Sequence, residues 1–296
     1  MIRTIEKILP AAHSMLPGEF AVYRALPRRE LRRVGGFVFL DHFDHEDVSP
    51  DLFDVPPHPH IGLQTVTYLF DGEILHTDSL DYQQKILPGE INWMTAGKGI
   101  THSEQVTETQ KRVHGIQSWV GLPHKDRKTE PTFENFPRNV LPTIEKDSYK
   151  ITVIAGECFG EASPIPTFQE LVYLDVEANA NALIQMPVGP SYELAIYVCS
   201  GEVEIDGTKI GKHDLAKLTE GDIIELTANE NARFVIIGGE PLAEPTVIYW
   251  NFIADTVGEA KQAMIDWEDG KFPEVKLYEK IVSHKDENEK EISTLL

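Results

Sequence analysis

The chain has 296 residues, of which 41% are hydrophobic and 25% are charged. This is the composition of an ordinary globular protein, and the length is sufficient for two domains. Its 27 basic residues against 48 acidic residues give a net charge of −21. A field of that sign repels phosphate backbones and anionic lipid headgroups, so direct nucleic-acid binding and membrane association are not expected.

Cysteine usage and the first residues indicate a reducing compartment. The two cysteines, Cys158 and Cys199, have no CxxC spacing, which argues against a disulfide framework or a structural zinc module. The opening MIRTIEKILPAAHS contains no long apolar segment, and no later run is long enough to span a bilayer. We therefore expect a cytoplasmic protein, with a nuclear location left open for a eukaryotic source.

The predicted elements are mostly short strands. Residues 37–40 form an apolar run after two glycines, and residues 64–70 are rich in β-branched and aromatic side chains. Asp71-Gly72, which follows, is a hairpin signal, and residues 90–94 form the next strand. Such short strands at regular spacing predict an all-β barrel or sandwich. The acidic residues 41–47 are expected to form a solvated loop or the rim of a site.

The strand pattern recurs in the second half of the chain. Residues 65–74 (TVTYLFDGEI) resemble residues 194–203 (LAIYVCSGEV), and residues 87–91 (LPGEI) resemble residues 219–223 (TEGDI). The sequence therefore predicts one barrel unit used twice.

The repeat sets the predicted domain boundaries. They are 1–135 for the first barrel and 143–296 for the second barrel plus a C-terminal helix, with the linker within 129–142. The helix prediction rests on a capping box at residues 256–259, followed by an apolar face that includes Ala260 and Trp267. The tail from Ser283 onward, rich in Lys and Glu, is expected to be loosely ordered.

Two pairs of metal-ligand side chains have strand spacing. His58 and His60 are separated by one residue, and so are His102 and Glu104. In an extended strand, side chains two positions apart point to the same face. If the two strands are neighbours, three imidazoles and one carboxylate converge on one point. The sequence thus predicts a metal site formed by His58, His60, His102 and Glu104.

The internal repeat restricts this site to the first barrel. When the repeats are aligned on their glycines, the four counterparts are Pro187, Gly189, Phe234 and Ile236. None of these residues can bind a metal through its side chain. The second barrel is therefore predicted to have an apolar interior and no metal.

Imidazole and carboxylate donors without thiolate favour Fe, Mn, Ni, Cu or Zn over Ca or Mg. Four protein ligands close a tetrahedral site but leave two open positions around an octahedral ion, and the sequence leaves both geometries open. The remaining isolated histidines are interpreted as structural or surface residues; they are His13, His76, His114, His124, His213 and His284.

The predicted ligand motifs and the segments around them resemble the pirin family of the cupin superfamily. The resemblance is carried by His58-Pro-His60, by residues 88–104 (PGEINWMTAGKGITHSE), by residues 39–43 (FLDHF) and by residues 238–242 (GGEPL). It implies two tandem jelly-roll-type cupin barrels with one iron-type metal centre in the first. The family's ligands fall on the same four residues. Fe(II) is the leading metal, with Mn, Ni, Cu and Zn as alternatives.

The chain departs from the family pattern just after His60. Relatives commonly have Arg-Gly-Phe-Glu there, whereas this chain has Ile61-Gly-Leu-Gln64. Many metallocupins place a ligating glutamate where Gln64 stands. Strand parity places Gln64 on the His60 face, so we expect its amide to orient a metal ligand or a substrate.

The resemblance implies two classes of function. Some pirins act as quercetinases that open a flavonol ring with O2. A flavonol-like substrate and O2 would then be the partners, and Glu104 would be the catalytic residue that takes a proton from the substrate hydroxyl. Other relatives resemble redox-sensitive, metal-dependent regulators that bind a transcription factor or a metabolic enzyme. A storage or structural bicupin is a third hypothesis.

Overall fold

The computed structural model describes residues 1–16, 20–243 and 246–281. His284 and the predicted loosely ordered tail from Ser283 onward lie outside these residues. The first part of the chain contains β1 (Ile5–Pro10), β2 (Ala12–Met15), β3 (Ala21–Leu26), β4 (Phe37–Val48), β5 (Asp54–His60), β6 (Leu63–Asp71), β7 (Ile74–Asp78), β8 (Gln83–Ile86), β9 (Ile91–Thr95), β10 (Ile100–Gln105), β11 (Gln110–Gly121) and β12 (Thr132–Phe136).

The second part continues with β13 (Thr143–Lys146), β14 (Tyr149–Ala155), β15 (Glu157–Cys158), β16 (Glu161–Ala162), β17 (Leu171–Ala178), β18 (Leu183–Pro187), β19 (Glu193–Ser200), β20 (Val203–Ile205), β21 (Thr208–Ile210), β22 (Asp214–Leu218), β23 (Ile223–Ala228), β24 (Ala232–Gly239), β25 (Val247–Tyr249), β26 (Phe252–Ala254) and helix α1 (Val257–Glu268). His124–Asp126 and Arg138–Val140 form short 3-10 turns.

Each half of the fold pairs a seven-stranded sheet with a four-stranded sheet. In the first barrel the strand orders are β12-β9-β6-β11-β4-β3-β2 and β5-β10-β7-β8. In the second they are β1-β22-β19-β24-β17-β14-β13 and β18-β23-β20-β21. The predicted fold class, all-β with two tandem cupin barrels and a short C-terminal helix, is confirmed. Within the described residues, we find no helix with the length and apolar character needed to cross a bilayer.

The ends of the chain cross between the barrels, so the predicted boundaries 1–135 and 143–296 need correction. Strand β1 pairs with β22, with Leu9 opposite Leu215, and so belongs to the second barrel. After the second barrel the chain returns to the first, where Phe252 bridges to Ile61. The predicted linker 129–142 contains β12, which pairs with β9. An internal repeat reveals shared strands but carries no information about which sheet edge a terminal segment joins.

The solvated-loop alternative for residues 41–47 and the hairpin at Asp71-Gly72 were both wrong. The other alternative for residues 41–47, the rim of a site, agrees with the structure, because Asp41 and Phe43 line a cavity. The acidic residues 41–47 continue strand β4, because the buried Asp41 carboxylate accepts two hydrogen bonds from Arg24, at 2.8 and 2.6 Å. A paired buried charge does not require a solvated loop. At Asp71-Gly72 the chain does turn, but β6 and β7 lie in different sheets and form no hairpin.

The second barrel is filled by aliphatic and aromatic side chains, as predicted. Phe234 and Ile236, the counterparts of His102 and Glu104, are fully buried in this cluster together with Ile184 and Met186. The terminal helix α1 also forms as predicted. Thr256 Oγ1 accepts a hydrogen bond from the Glu259 amide at 3.2 Å, and Ala260 is buried.

The core of the second barrel provides a matched stability test on strand β18. Ile184 is fully buried, whereas its neighbour Leu183 is 63% exposed. We expect Ile184→Ala to lower the free energy of unfolding by about 2–5 kcal/mol, because it removes buried methyl groups and leaves a cavity. Leu183→Ala should change it by less than about 0.5 kcal/mol. Urea unfolding of both variants measures this, and equal losses would contradict the assignment of inner and outer faces.

Candidate metal centre

The two ligand strands are direct neighbours. β5 and β10 pair antiparallel, with His58 opposite His102 and His60 opposite Ile100. Possible ligand atoms of His58, His60 and His102 all lie within 4.8 Å of one another. Three prolines in β5, at positions 56, 57 and 59, restrict the backbone that carries two of these histidines. The pairing of β5 with β10 therefore brings the three predicted histidines together in one cluster.

Hydrogen bonds donated by Nδ1 fix the ring orientations of two of these histidines. His58 Nδ1 lies 3.0 Å from the Pro56 carbonyl oxygen, and His60 Nδ1 lies 3.0 Å from the Asn251 carbonyl oxygen. A carbonyl can only accept, so each Nδ1 carries the proton and each Nε2 keeps its lone pair. This is the arrangement in which a histidine binds a metal through Nε2.

The third histidine has an unmatched polar atom. His102 Nε2 is buried and has no hydrogen-bond partner among the described residues. A buried polar atom without a partner is costly, and a metal ion would satisfy it. This observation and the all-nitrogen donor set fit a borderline divalent transition metal.

The cluster is neutral at ordinary pH. Burial lowers the pKa of His58 to about 4 and the pKa values of His60 and His102 well below their usual range. The proximity of the other imidazoles lowers the pKa of His102 further, because like charges repel. Neutral imidazoles have the lone pairs that a metal requires.

Glu104 lies beside the three histidines but is held by other side chains. Its Oε1 accepts a hydrogen bond from Thr67 Oγ1 at 3.1 Å, and the Gln117 side chain also bonds the carboxylate. Among the described residues, the group close enough to share one ion contains only the three histidines. Burial raises the pKa of Glu104, whereas His76, Thr67 and Gln117 lower it. Glu104 as a fourth ligand stays a prediction.

A cavity of about 610 Å³ adjoins the cluster, and its lining includes both His58 and Glu104. Phe39 and Trp119 stack in its wall, with ring centroids 4.0 Å apart and planes 13° apart. Trp250 and Trp267 contribute to the lining from the segment that follows the second barrel. The volume is typical of small-molecule sites, and an aromatic lining with a few polar groups suits a planar aromatic ligand.

Gln64 is turned away from the cluster, so the parity argument that placed it there is wrong. β5 ends at His60, and β6 starts in the other sheet after a turn at Gly62, whose φ of +69° favours glycine. The Gln64 amide donates to Thr95 Oγ1 at 2.9 Å. Gln64 lines a separate cavity of about 170 Å³ with Trp93. The rule that residues an even number of positions apart point to the same face holds only within one uninterrupted strand.

Two buried residues that were not assigned to the site from the sequence lie next to His102. His76 Nδ1 is 3.4 Å from His102 Nδ1, and His76 Nε2 is 3.0 Å from Asp78 Oδ2. His76 is therefore not an isolated structural histidine. His76 and Asp78 have the same one-residue separation as the ligand pairs, and this was the available signal.

Three further histidines form a second cluster between the barrels, which corrects the interpretation of two of them as isolated. His42 Nε2 lies 2.9 Å from His114 Nε2, and His42 Nδ1 lies 3.3 Å from His213 Nδ1. Tyr197 Oη lies within 3.2 Å of both Nδ1 atoms. His42 belongs to the FLDHF motif, so this motif contributes to the contact between barrels.

This inter-barrel cluster predicts acid sensitivity. Burial lowers the pKa of His114 from 6.5 to about 4. The unfolded chain therefore takes up a proton at a higher pH than the folded protein does. The free energy of unfolding should fall as the pH drops from 6.5 towards 4, by at most about 1.4 kcal/mol per pH unit from this residue. Urea unfolding of the metal-free protein and of His114→Asn at several pH values measures the difference. Identical slopes would contradict the prediction.

Family models match both barrels. The model described as Pirin covers residues 19–120, and the model described as Pirin C-terminal cupin domain covers residues 173–273. This chain belongs to the pirin family. Its resemblance to that family, predicted from the ligand motifs, is thereby confirmed.

Sequence similarity to relatives extends over most of the chain. A Pirin-like protein of Caulobacter vibrioides is 39% identical over 261 residues, which is 86% of this chain and 90% of that relative. A solved quercetin 2,3-dioxygenase of Acinetobacter baumannii is 35% identical, covers 92% of both chains and has a TM-score of 0.87.

The pirin fold is also shared with YhhW, a bacterial pirin of Escherichia coli that was solved in complex with nickel(II). It is 18% identical, covers 79% of this chain and all of its own length, and has a TM-score of 0.65. At that identity the likeness concerns the fold alone.

Proposed function

We propose that this pirin-family protein is a metal-dependent dioxygenase that opens the ring of a quercetin-type flavonol with O2. The observation that carries the proposal is the position of the three-histidine cluster, which adjoins an aromatic-lined cavity that also contains the Glu104 carboxylate. The likeness to the A. baumannii quercetin 2,3-dioxygenase supports the substrate class.

His58, His60 and His102 would hold the metal, for which we propose Fe(II), with Mn, Ni, Cu and Zn as alternatives. The three-imidazole donor set and the buried His102 Nε2, which has no partner among the described residues, support the choice of a divalent transition metal. When bound, the metal supplies a positive charge that favours a substrate oxyanion, together with the capacity to react with O2.

Glu104 would accept the proton of the substrate hydroxyl next to the metal. Burial raises the pKa of this carboxylate, which makes it a better base than a solvated glutamate. Thr67 Oγ1 donates a hydrogen bond of 3.1 Å to Glu104 Oε1, which fixes the position of that carboxylate oxygen. Gln117 Oε1 is buried without a partner among the described residues, and it would accept a hydrogen bond from a second substrate hydroxyl.

Aromatic side chains would orient the flavonol rings. The stacked pair of Phe39 and Trp119 offers a flat wall, and the Arg24 guanidinium lies 4.7 Å from the centre of the Phe39 ring. Trp250 and Trp267, which also line the cavity, would cover the ring system and reduce the access of water.

The test is flavonol-dependent oxygen uptake. We expect Fe(II)-loaded protein to consume O2 only when quercetin is present, and to consume little after metal removal by a chelator. An oxygen electrode and mass analysis of the product measure this. Oxygen uptake by the loaded protein that does not exceed that of metal-free protein would contradict the proposed function.

Redox-dependent binding of a protein partner stays a prediction. It requires that a partner bind the oxidised and the reduced metal forms with different affinities. Pull-down from an extract under both conditions, followed by titration of the captured partner, measures this, and equal affinities would contradict it.

A further inference from the structure

His76 and Asp78 form a buried chain of hydrogen bonds that ends on a metal-binding histidine. Strand β7 pairs with β10 so that Asp78 is opposite His102 and His76 is opposite Glu104. His76 is 2% exposed, and Asp78 is fully buried. The His76 ring stacks on Phe133, with centroids 4.2 Å apart and planes 10° apart, which fixes the plane of the imidazole.

The backbone around Asp78 fixes the direction of these hydrogen bonds. Asp78 Oδ1 accepts from the amides of Leu80 at 2.8 Å and Tyr82 at 3.2 Å. A carboxylate oxygen can only accept, so His76 Nε2–H donates to Asp78 Oδ2 across 3.0 Å. In the neutral form of the His76 ring, the lone pair is then on Nδ1.

The lone pair on His76 Nδ1 determines which ring nitrogen of His102 carries the proton. His76 Nδ1 lies 3.4 Å from His102 Nδ1, and with its lone pair it can only accept a hydrogen bond. His102 therefore carries its proton on Nδ1 and keeps a lone pair on Nε2. This is the buried atom that has no partner among the described residues.

We propose that Asp78, acting through His76, is the positioning residue that holds His102 in the tautomer that binds a metal. Backbone carbonyls do this for His58 and His60, as described above. At His102 the side chains of His76 and Asp78 take the role of a backbone carbonyl. A single substitution can therefore reverse the tautomer of His102. The inference rests on the metal site of the proposed function, but it does not require flavonol turnover.

The first test is the tautomer in the unsubstituted, metal-free protein. Nitrogen-15 NMR distinguishes protonated from unprotonated ring nitrogens. We expect the proton on Nδ1 of His102 and on Nε2 of His76. The opposite tautomer of either ring would overturn the proposal, and this measurement requires neither a variant nor activity.

The second test reverses the chain by Asp78→Asn. The Asn oxygen would take over the two backbone amides, so its NH2 group would face His76 Nε2 and donate to it. His76 would then carry its proton on Nδ1, and His102 would move its proton to Nε2, where the metal must bind. We expect the affinity for Fe(II) or Ni(II), measured by competition with a chelator, to fall about 10- to 100-fold.

Asp81→Asn is the matched control, because it makes the same change three residues away on an exposed side chain that pairs with Lys276. It should leave the tautomer and the metal affinity unchanged. An Asp78→Asn protein that retains the His102 tautomer and binds metal within twofold of the unsubstituted protein would overturn the proposal. If the tautomers are as expected but flavonol turnover fails, only the proposed reaction is wrong.

Discussion

Replacing both His58 and His102 with alanine should reduce the transition-metal content from close to one ion per chain to nearly none. These residues supply two of the three imidazoles in the cluster, and they are directly opposite each other on β5 and β10. The single remaining imidazole, His60, cannot hold a divalent ion against a chelator. Elemental analysis after reconstitution and desalting measures the metal-to-protein ratio.

The control for this experiment is the replacement of two histidines outside the site. His13 is exposed, and His124 lies in a short turn where its ring pairs with Asp255. The variant with alanine at both positions should keep its metal. Unchanged metal content in the His58 and His102 double variant would show that the ion binds elsewhere. Circular dichroism establishes that each variant is folded.

Glu104→Gln should separate catalysis from metal binding. The three histidines are unchanged, so we expect the variant to keep its metal. Glutamine cannot accept the substrate proton, and the loss of a positioned general base typically costs about 10²- to 10⁴-fold in rate. We expect kcat for flavonol-dependent oxygen uptake to fall by that factor.

Glu46→Gln makes the same change on an exposed carboxyl of strand β4 and should leave kcat unchanged. Two results would contradict the role of Glu104. A variant with unchanged kcat would show that another group takes the proton. A variant that loses its metal would show that the carboxylate acts mainly as a ligand.

The spacing of His58, His60, His102 and Glu104 was enough to predict which strands must meet, because strand periodicity is local and the internal repeat excluded the second barrel. The same local logic failed at Gln64, where the turn at Gly62 moves the chain to another sheet. The run of charges from Asp41 to Asp47 was also misleading as a sign of a solvated loop, because the pairing of Asp41 with Arg24 is a contact between strands and leaves no local pattern.

Other parts of the site carry no signal in a single sequence. The group that fixes His60 is the backbone carbonyl of Asn251, 191 positions away, and any residue type could supply it. Strand β1 joins the second barrel and β26 contacts the first barrel. These positions depend on pairing at the edges of the sheets, which the internal repeat does not show. His76 and Asp78 were detectable by their spacing, but only the pairing of β7 with β10 shows that they act on His102.

The most direct test of the account is an anaerobic titration of metal-free protein with Fe(II), followed at each point by the initial rate of quercetin-dependent oxygen uptake. We expect the rate to rise linearly and to saturate at one Fe(II) per chain. We expect no increase in the rate for the His58 and His102 double variant. A rate that does not depend on added metal, or a double variant that titrates like the unsubstituted protein, would contradict it.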